Sequence, residues 1–193
     1  MTTPAEPDGY RMRELGADDV DAVQRFFEAN PEYFLTVNGE APRADEAKHE
    51  FADLPPAGMP YRAMWLLGFY DRGGAMIGVA TIVGDFLQPH VWHVGLFIVA
   101  SALHGSGVAH ALYRRLERWM VAQGARWLRL GVVQGNVKAE RFWLRCGYAQ
   151  VRERGPLAMG RKTHLLRVMA KPLAGGTIDE YLELVERDRP SAP

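Results

Sequence analysis

Residues 91–99, Val-Trp-His-Val-Gly-Leu-Phe-Ile-Val, constrain the fold more than any other stretch of the chain. They are apolar on nearly both faces, a pattern that requires cover above and below and marks a central strand. The chain then runs through Ala100-Ser101-Ala102-Leu103-His104-Gly105-Ser106-Gly107 into a segment, 107–122, with helical period. There Val108, Ala111, Leu112, Leu116, Trp119 and Met120 form one apolar stripe. Gly124 stops the helix, and 127–133 reads as the next buried strand. A strand, a glycine loop, a helix and a strand are therefore the unit around which the rest must pack.

Ahead of this unit, 10–15 alternates like a short strand, and Asp18 or Asp19 is placed to cap a helix carrying Val20, Val23, Phe26 and Phe27 on one face. Residues 31–60 mix Pro, Gly and aromatics around one polar helical stretch, 43–51, and read as a loop and helix lying over a site. Apolar runs at 63–70 and 75–84, separated by Asp71-Arg72-Gly73-Gly74, predict a hairpin. Behind the unit, 136–145 predicts a second helix closed by Gly147, and 148–153 with 163–170 predicts a final antiparallel pair. Thr177-Ile178-Asp179-Glu180 matches a capping box opening a short amphipathic helix. The order is that of an α+β domain with a mixed sheet rather than a doubly wound dinucleotide fold. The expected division is a disordered N-terminus over 1–9, one domain over 10–173, and a C-terminal helix and tail over 174–193.

Composition matters mainly for what it excludes. Lys plus Arg and Asp plus Glu number 23 each, so no net field recruits nucleic acid or an anionic membrane. No apolar run approaches the roughly 20 residues of a bilayer span, and 1–9 carries no export signal. The single cysteine, Cys146, allows no internal disulfide and fits a reducing, cytoplasmic setting.

The glycine loop carries the chemistry. Glycines let the backbone turn sharply and bring successive N–H groups to a ligand, and the positive end of a helix lies beneath them with no acid in its first turn. Together these make an anion site suited to a pyrophosphate. No Gly-Lys-Ser/Thr follows, so this is not a loop for a γ-phosphate and its metal. About thirty residues later stands Asn136-Val137-Lys138-Ala139-Glu140-Arg141-Phe142-Trp143-Leu144-Arg145-Cys146-Gly147-Tyr148.

With these two segments the chain resembles the GCN5-related N-acetyltransferase (GNAT) superfamily. The family's phosphate-loop pattern, (Gln/Arg)-x-x-Gly-x-(Gly/Ala), falls on His104, Gly107 and Ala109, and its Asn-x-x-Ala signature on Asn136, Ala139, Phe142, Trp143, Gly147 and Tyr148. The resemblance spans roughly 10–173. It implies a mixed, mostly antiparallel sheet of about seven strands with helices on both faces. It further implies that 91–99 and 127–133 run parallel and splay apart to hold acetyl-CoA. The cofactor's arm would lie along Phe97, Ile98 and Val99, its pyrophosphate on His104, Gly105, Ser106, Gly107, Val108 and Ala109, with Asn136, Phe142 and Trp143 beside the arm. Two departures stand out. His104 replaces the usual Gln or Arg, and Trp143 stands where many members carry the tyrosine that protonates the departing thiolate. An indole N–H donates a hydrogen bond but delivers no proton at neutral pH.

For the base that must free the acceptor amine of its proton, His93 is the first candidate, because an unperturbed imidazole titrates near neutrality. Asp85 is the second, and Glu40 a further one. His90 and His93 point to opposite faces of a strand and do not share a metal, so no metal is expected. Cys146 reads as packing. The resulting expectation is a small-molecule or amino-acid-like amine as acceptor, with a homodimer favoured on the family resemblance alone. A non-catalytic acyl-CoA-binding module, and a protein N-terminal or lysine acetyltransferase, are the alternatives.

Overall fold

The computed structural model describes residues 2–3, 9–173 and 175–192. Eight strands form one sheet: β1 (Thr2–Thr3), β2 (Arg11–Glu14), β3 (Ala63–Tyr70), β4 (Met76–Gly84), β5 (Val91–Val99), β6 (Trp127–Val133), β7 (Ala149–Met159) and β8 (Lys162–Pro172). Their spatial order is β1-β2-β3-β4-β5-β6-β8-β7. Every adjacent pair is antiparallel except β5 with β6. Thr2 and Thr3 pair with Arg13 and Met12, within the stretch expected to be disordered; residue 1 and residues 4–8 of that stretch lie outside the described residues.

Six α-helices accompany the sheet among the described residues: α1 (Val20–Ala29), α2 (Glu32–Val37), α3 (Glu46–Ala52), α4 (Val108–Ala122), α5 (Val137–Arg145) and α6 (Ile178–Leu184). Strand alternation sorts them into layers. Ala80, Ile82, Trp92, Val94, Leu128 and Leu130 meet Leu112, Leu116 and Met120 of α4 and Trp143 of α5 on one face. On the other face, Val79, Leu96 and Ile98 meet Phe26, Phe27, Phe34 and Ala47 of α1–α3. Farther along that second face, Val91, Trp127, Val168 and Ala170 meet Tyr181 and Val185. The second face thus has two separate covers.

Three local expectations are corrected. Asp19 does not cap α1 through its side chain; its oxygens lie 2.6 and 2.9 Å from the Arg13 guanidinium and accept Gly16 N–H, and the Arg13 bonds hold its carboxyl down at about 2. Residues 31–60 hold two helices, because Pro31 sits just ahead of Glu32–Val37, where a missing N–H costs nothing. The final hairpin is far longer than expected, because Pro156 falls at a break in register between Arg154 and Leu157, where a ladder tolerates a residue without N–H. The capping box forms as expected: Thr177 Oγ1 accepts Glu180 N–H and Glu180 accepts Thr177 N–H. Tyr181 then docks α6 on its own sheet.

Candidate functional site: a cleft between two splayed strands

The parallel ladder between β5 and β6 joins Val91 to Trp127, Trp92 to Leu128, His93 to Arg129 and Val94 to Leu130, and then ends. Both strands continue, to Val99 and Val133, without pairing to each other, so the β6-side backbone groups of β5 face an open wedge. A register shift on β4 between Thr81 and Ile82 leaves Gly95 as a bulged residue at the point of divergence. Gly95 and Gly131 are both exposed there, so the floor of the wedge carries no side chain.

Beyond the wedge the chain turns into α4. Gly105 and Gly107 have φ of +81° and +87°, a region closed to most side chains, and Gly107 is the N-cap. Among the described residues, the amides of Gly105, Gly107 and Ala109 donate to nothing, whereas His104 N–H goes to Ser101 O and Ser106 N–H to Leu103 O. Three idle amides at the start of a 15-residue helix form a concavity for an anion. A cavity of about 510 Å³ joins this concavity to the wedge. Phe97, Ile98, Val99, His104, Gly105, Gly107, Ala109, Asn136, Phe142 and Trp143 all border it. Ser106 and Val108 do not: Ser106 Oγ donates back to Leu103 O, and Val108 packs on the core.

The sequence departures acquire physical form here. His104 Nε2 lies 2.9 Å from Val99 O, a contact only an N–H can make, so Nδ1 is left to accept from Lys138 Nζ at 2.5 Å. The cation held beside the glycine loop is therefore Lys138, steered by His104. Only its position inside the Asn136 signature could have marked it in sequence. Asn136 Oδ1 caps α5 by accepting Ala139 N–H at 3.2 Å, leaving its amide nitrogen beside the cavity. Trp143 packs edge-on to Tyr113 and Tyr148, with ring centroids 5.4 and 5.3 Å away. The Cys146 thiol, pushed up to about 11 by burial, is a packing group.

None of the three expected bases borders the cavity. His93 is stacked on Phe86 at 4.9 Å and faces Arg129 Nη1 3.4 Å from Nδ1. Burial and the Arg129 charge hold it down at about 3, too weakly basic to take a proton from an ammonium. The ladder that places Arg129 opposite His93 is not visible in sequence. Asp85 braces the turn between β4 and β5, binding Arg62 at 2.7 Å and accepting His90 N–H at 2.8 Å. Glu40 pairs with Arg161 at 2.8 Å.

Of the residues that sequence reasoning passed over, Tyr33 borders this cavity, and Glu50 borders a second pocket with Arg43, Glu46, His49 and Asp53. Tyr33 lines the cavity, and its hydroxyl makes no hydrogen bond among the described residues. Burial, with the charges of Glu50 and Glu46, pushes its phenol upward, so it stays protonated. Glu50 of α3 accepts the Thr81 hydroxyl on Oε1, and Thr81 lies against Gly95, where a Cβ would come 3.6 Å from Thr81 O. Burial pushes the Glu50 carboxyl above its ordinary range, and the nearby charges of Asp53 and Glu46 act the same way against the Thr81 bond. Asn30 and Glu32 fix this layer to the loop after β5, accepting Ser101 N–H and the Ser101 hydroxyl.

Comparison with known proteins agrees with this geometry. The family model described as the acetyltransferase (GNAT) family matches residues 23–148. Among solved structures, an acetyltransferase from Thermus thermophilus is 22% identical, with a TM-score of 0.66 over 85% of this chain and 97% of that one. A GCN5-related N-acetyltransferase from Kribbella flavida is 22% identical, with a TM-score of 0.63 over 87% and 100%. A Vibrio cholerae spermidine N-acetyltransferase in complex with CoA and spermine is 18% identical, with a TM-score of 0.61 over 85% and 95%. No curated protein matches the sequence significantly. The idle amides, Lys138 and the open wedge suit a pyrophosphate followed by a narrow arm, the shape of coenzyme A. With its family model covering well over half its length, the chain belongs to the acetyltransferase (GNAT) family, N-acetyltransferases whose acyl donor is acetyl-CoA.

Proposed function

We propose that the protein acetylates the primary amine of a small acceptor by direct attack, with donor and acceptor bound together. Acetyl-CoA supplies an activated thioester; the chain's own residues supply position and proton handling. The amides of Gly105, Gly107 and Ala109, with Lys138, hold the pyrophosphate, and the unpaired edge of β5 orients the arm toward Gly95 and Gly131. Fixing both reactants in this way supplies much of a rate enhancement. Glu50 takes the proton of the acceptor ammonium on Oε2, its Oε1 being held by Thr81. A carboxyl raised by burial is better suited to that task than an ordinary one. The hydroxyl missing at Trp143 is replaced by Tyr33, a neutral hydrogen-bond donor to the departing sulfur.

A small acceptor is favoured by the closed rim of the second face. Lys162 Nζ donates to Leu35 O and Thr36 O at 3.0 and 3.1 Å, and His164 Nε2 lies 2.8 Å from Val37 O. The β7–β8 hairpin is thereby fastened to α2, which favours a small acceptor over an extended peptide.

The observation that carries the proposal is the set of idle amides opening onto a cavity that continues into the splayed strands. Calorimetry with coenzyme A, followed by thiol release from acetyl-CoA across a panel of small amines, tests it. Tight binding and turnover of at least one amine class are expected. A chain that ignores coenzyme A, or binds it and turns over nothing, is not this enzyme.

A further inference from the structure

A pyrophosphate on the glycine loop would use only one end of the charged face that α5 turns to the cavity. Lys138, Phe142 and Arg145 stand at i, i+4 and i+7, so one face of the helix carries them, and all three border the cavity. Lys138 marks the loop end, with Nζ on His104 Nδ1 at 2.5 Å. Arg145 stands two helical turns farther on, about 10 Å along the axis. Between them, level with Phe142, lies His110 of α4, its ring edge-on to that of Phe142 with centroids 4.8 Å apart.

Arg145 has no partner in the fold. It is exposed, and among the described residues it makes neither a hydrogen bond nor an ion pair. The acids nearest in sequence are engaged elsewhere. Glu117, the one acid of α4, binds Lys171 at 2.5 Å. Glu140, the one acid of α5, lies 3.2 Å from Arg167 and accepts Gly135 N–H at 2.9 Å. Glu32, the single acid bordering the cavity among the described residues, accepts the Ser101 hydroxyl. The imidazole of His110 likewise makes no hydrogen bond among the described residues. The cavity wall thus offers a cation at each end of an aromatic surface.

Two cations with an aromatic ring between them suit a nucleotide phosphorylated at two positions. The 5′-diphosphate and the 3′-phosphate of an adenosine stand one ribose apart, a span on which a lysine and an arginine two turns apart can close. A guanidinium grips a phosphate through its fork, and a purine lies well on an aromatic side chain.

We propose that Arg145 receives the 3′-phosphate of coenzyme A, with the adenine on the His110 ring that Phe142 supports, so that the protein selects the 3′-phosphorylated cofactor over its dephospho form. This rests on the acetyl-CoA reading of the site and adds a specificity-determining residue to it. An oxyanion carried by the acceptor is the other group Arg145 could meet, and the aromatic surface beside it favours the nucleotide.

The test titrates the full chain by calorimetry with coenzyme A, 3′-dephospho-coenzyme A, adenosine 3′,5′-bisphosphate and adenosine 5′-monophosphate. Coenzyme A should bind about tenfold or more tighter than its dephospho form, the contribution of a charge-assisted contact. The bisphosphate should exceed the monophosphate by a similar factor. Steady-state assays should place the difference between acetyl-CoA and acetyl-dephospho-CoA in KM rather than kcat. Arg145→Gln should weaken coenzyme A until the two cofactors are nearly equal, and Arg145→Lys should restore part of the preference. Equal affinity of the unmutated chain for the two cofactors, or a preference that survives Arg145→Gln intact, overturns the inference. So does an Arg145→Gln loss confined to the KM of carboxylate-bearing amines, because the arginine then meets the acceptor. The unmutated chain's comparison of the two cofactors decides even if the variant does not fold. Coenzyme A bound without regard to its 3′-phosphate sinks this inference alone, whereas failure of both cofactors to bind sinks the acetyl-CoA reading beneath it.

Discussion

Glu50 is a carboxylate held by a threonine hydroxyl in a place that disfavours its charge. Its folded-state affinity for a proton exceeds that of the unfolded chain. The stability it contributes is thus full below the ordinary carboxylate range and is lost as pH rises through its raised value. At pH 7 the buried charge is a liability to the fold. Glu50→Gln keeps the shape and removes the charge. Its midpoint should rise at pH 7 by roughly 2–4 °C, the shift that about 1 kcal/mol produces in a domain of this size, and the gain should vanish at pH 4. The acetylation rate should fall about 10²–10⁴-fold. Thermal melts at both pH values and single-turnover rates check this, and an unchanged rate would remove Glu50 from the mechanism. At this scale sequence reveals side-chain identity but not basicity. His93 looks like a base by composition and is disarmed by burial and by Arg129, a neighbour 36 positions away brought beside it by strand pairing.

The glycine turn and α4 form an element whose boundaries are decided locally, which is why the sequence places them within a residue. Gly107 must adopt a left-handed conformation to cap α4, and a methyl there would project into open space, where the proposed phosphate would lie. Gly107→Ala should therefore cost about 1–2 kcal/mol of conformational strain and weaken coenzyme A tenfold or more by calorimetry, with the fold intact. Retained affinity would mean that the loop amides do not hold the anion. The elements misjudged from sequence are those governed by distant partners. α2 is six residues long, and its last turn is held by Lys162 and His164 from a hairpin over a hundred positions later. The extra length of β7 and β8 depends on each other, not on local propensity.

For the molecule as a whole, the C-terminal segment is fastened to the sheet through a buried ion pair. Asp188 is fully buried and Arg129 is 7% exposed. Burial alone would raise the Asp188 carboxyl, but the Arg129 bonds prevail and lower it. Its contribution is present above the ordinary carboxylate range and lost as pH falls through its lowered value. Asp188→Asn leaves a buried guanidinium uncompensated and should cost about 3–5 kcal/mol, read by urea denaturation at pH 7, with a smaller difference from wild type in acid. A cost near zero would mean that α6 is held by Tyr181 and Val185 alone. The candidate site divides along the same lines. Sequence by itself determined the strand–loop–helix–strand unit, the glycine turn and the Asn136 signature, and through the family resemblance the cofactor, because backbone conformation and helix amphipathicity follow from residues close in the chain. Only the tertiary structure decided which titratable groups lie near the cavity and how basic they are. Glu50, Tyr33 and His93 come from separate elements, and their protonation depends on register and burial, which no local pattern encodes.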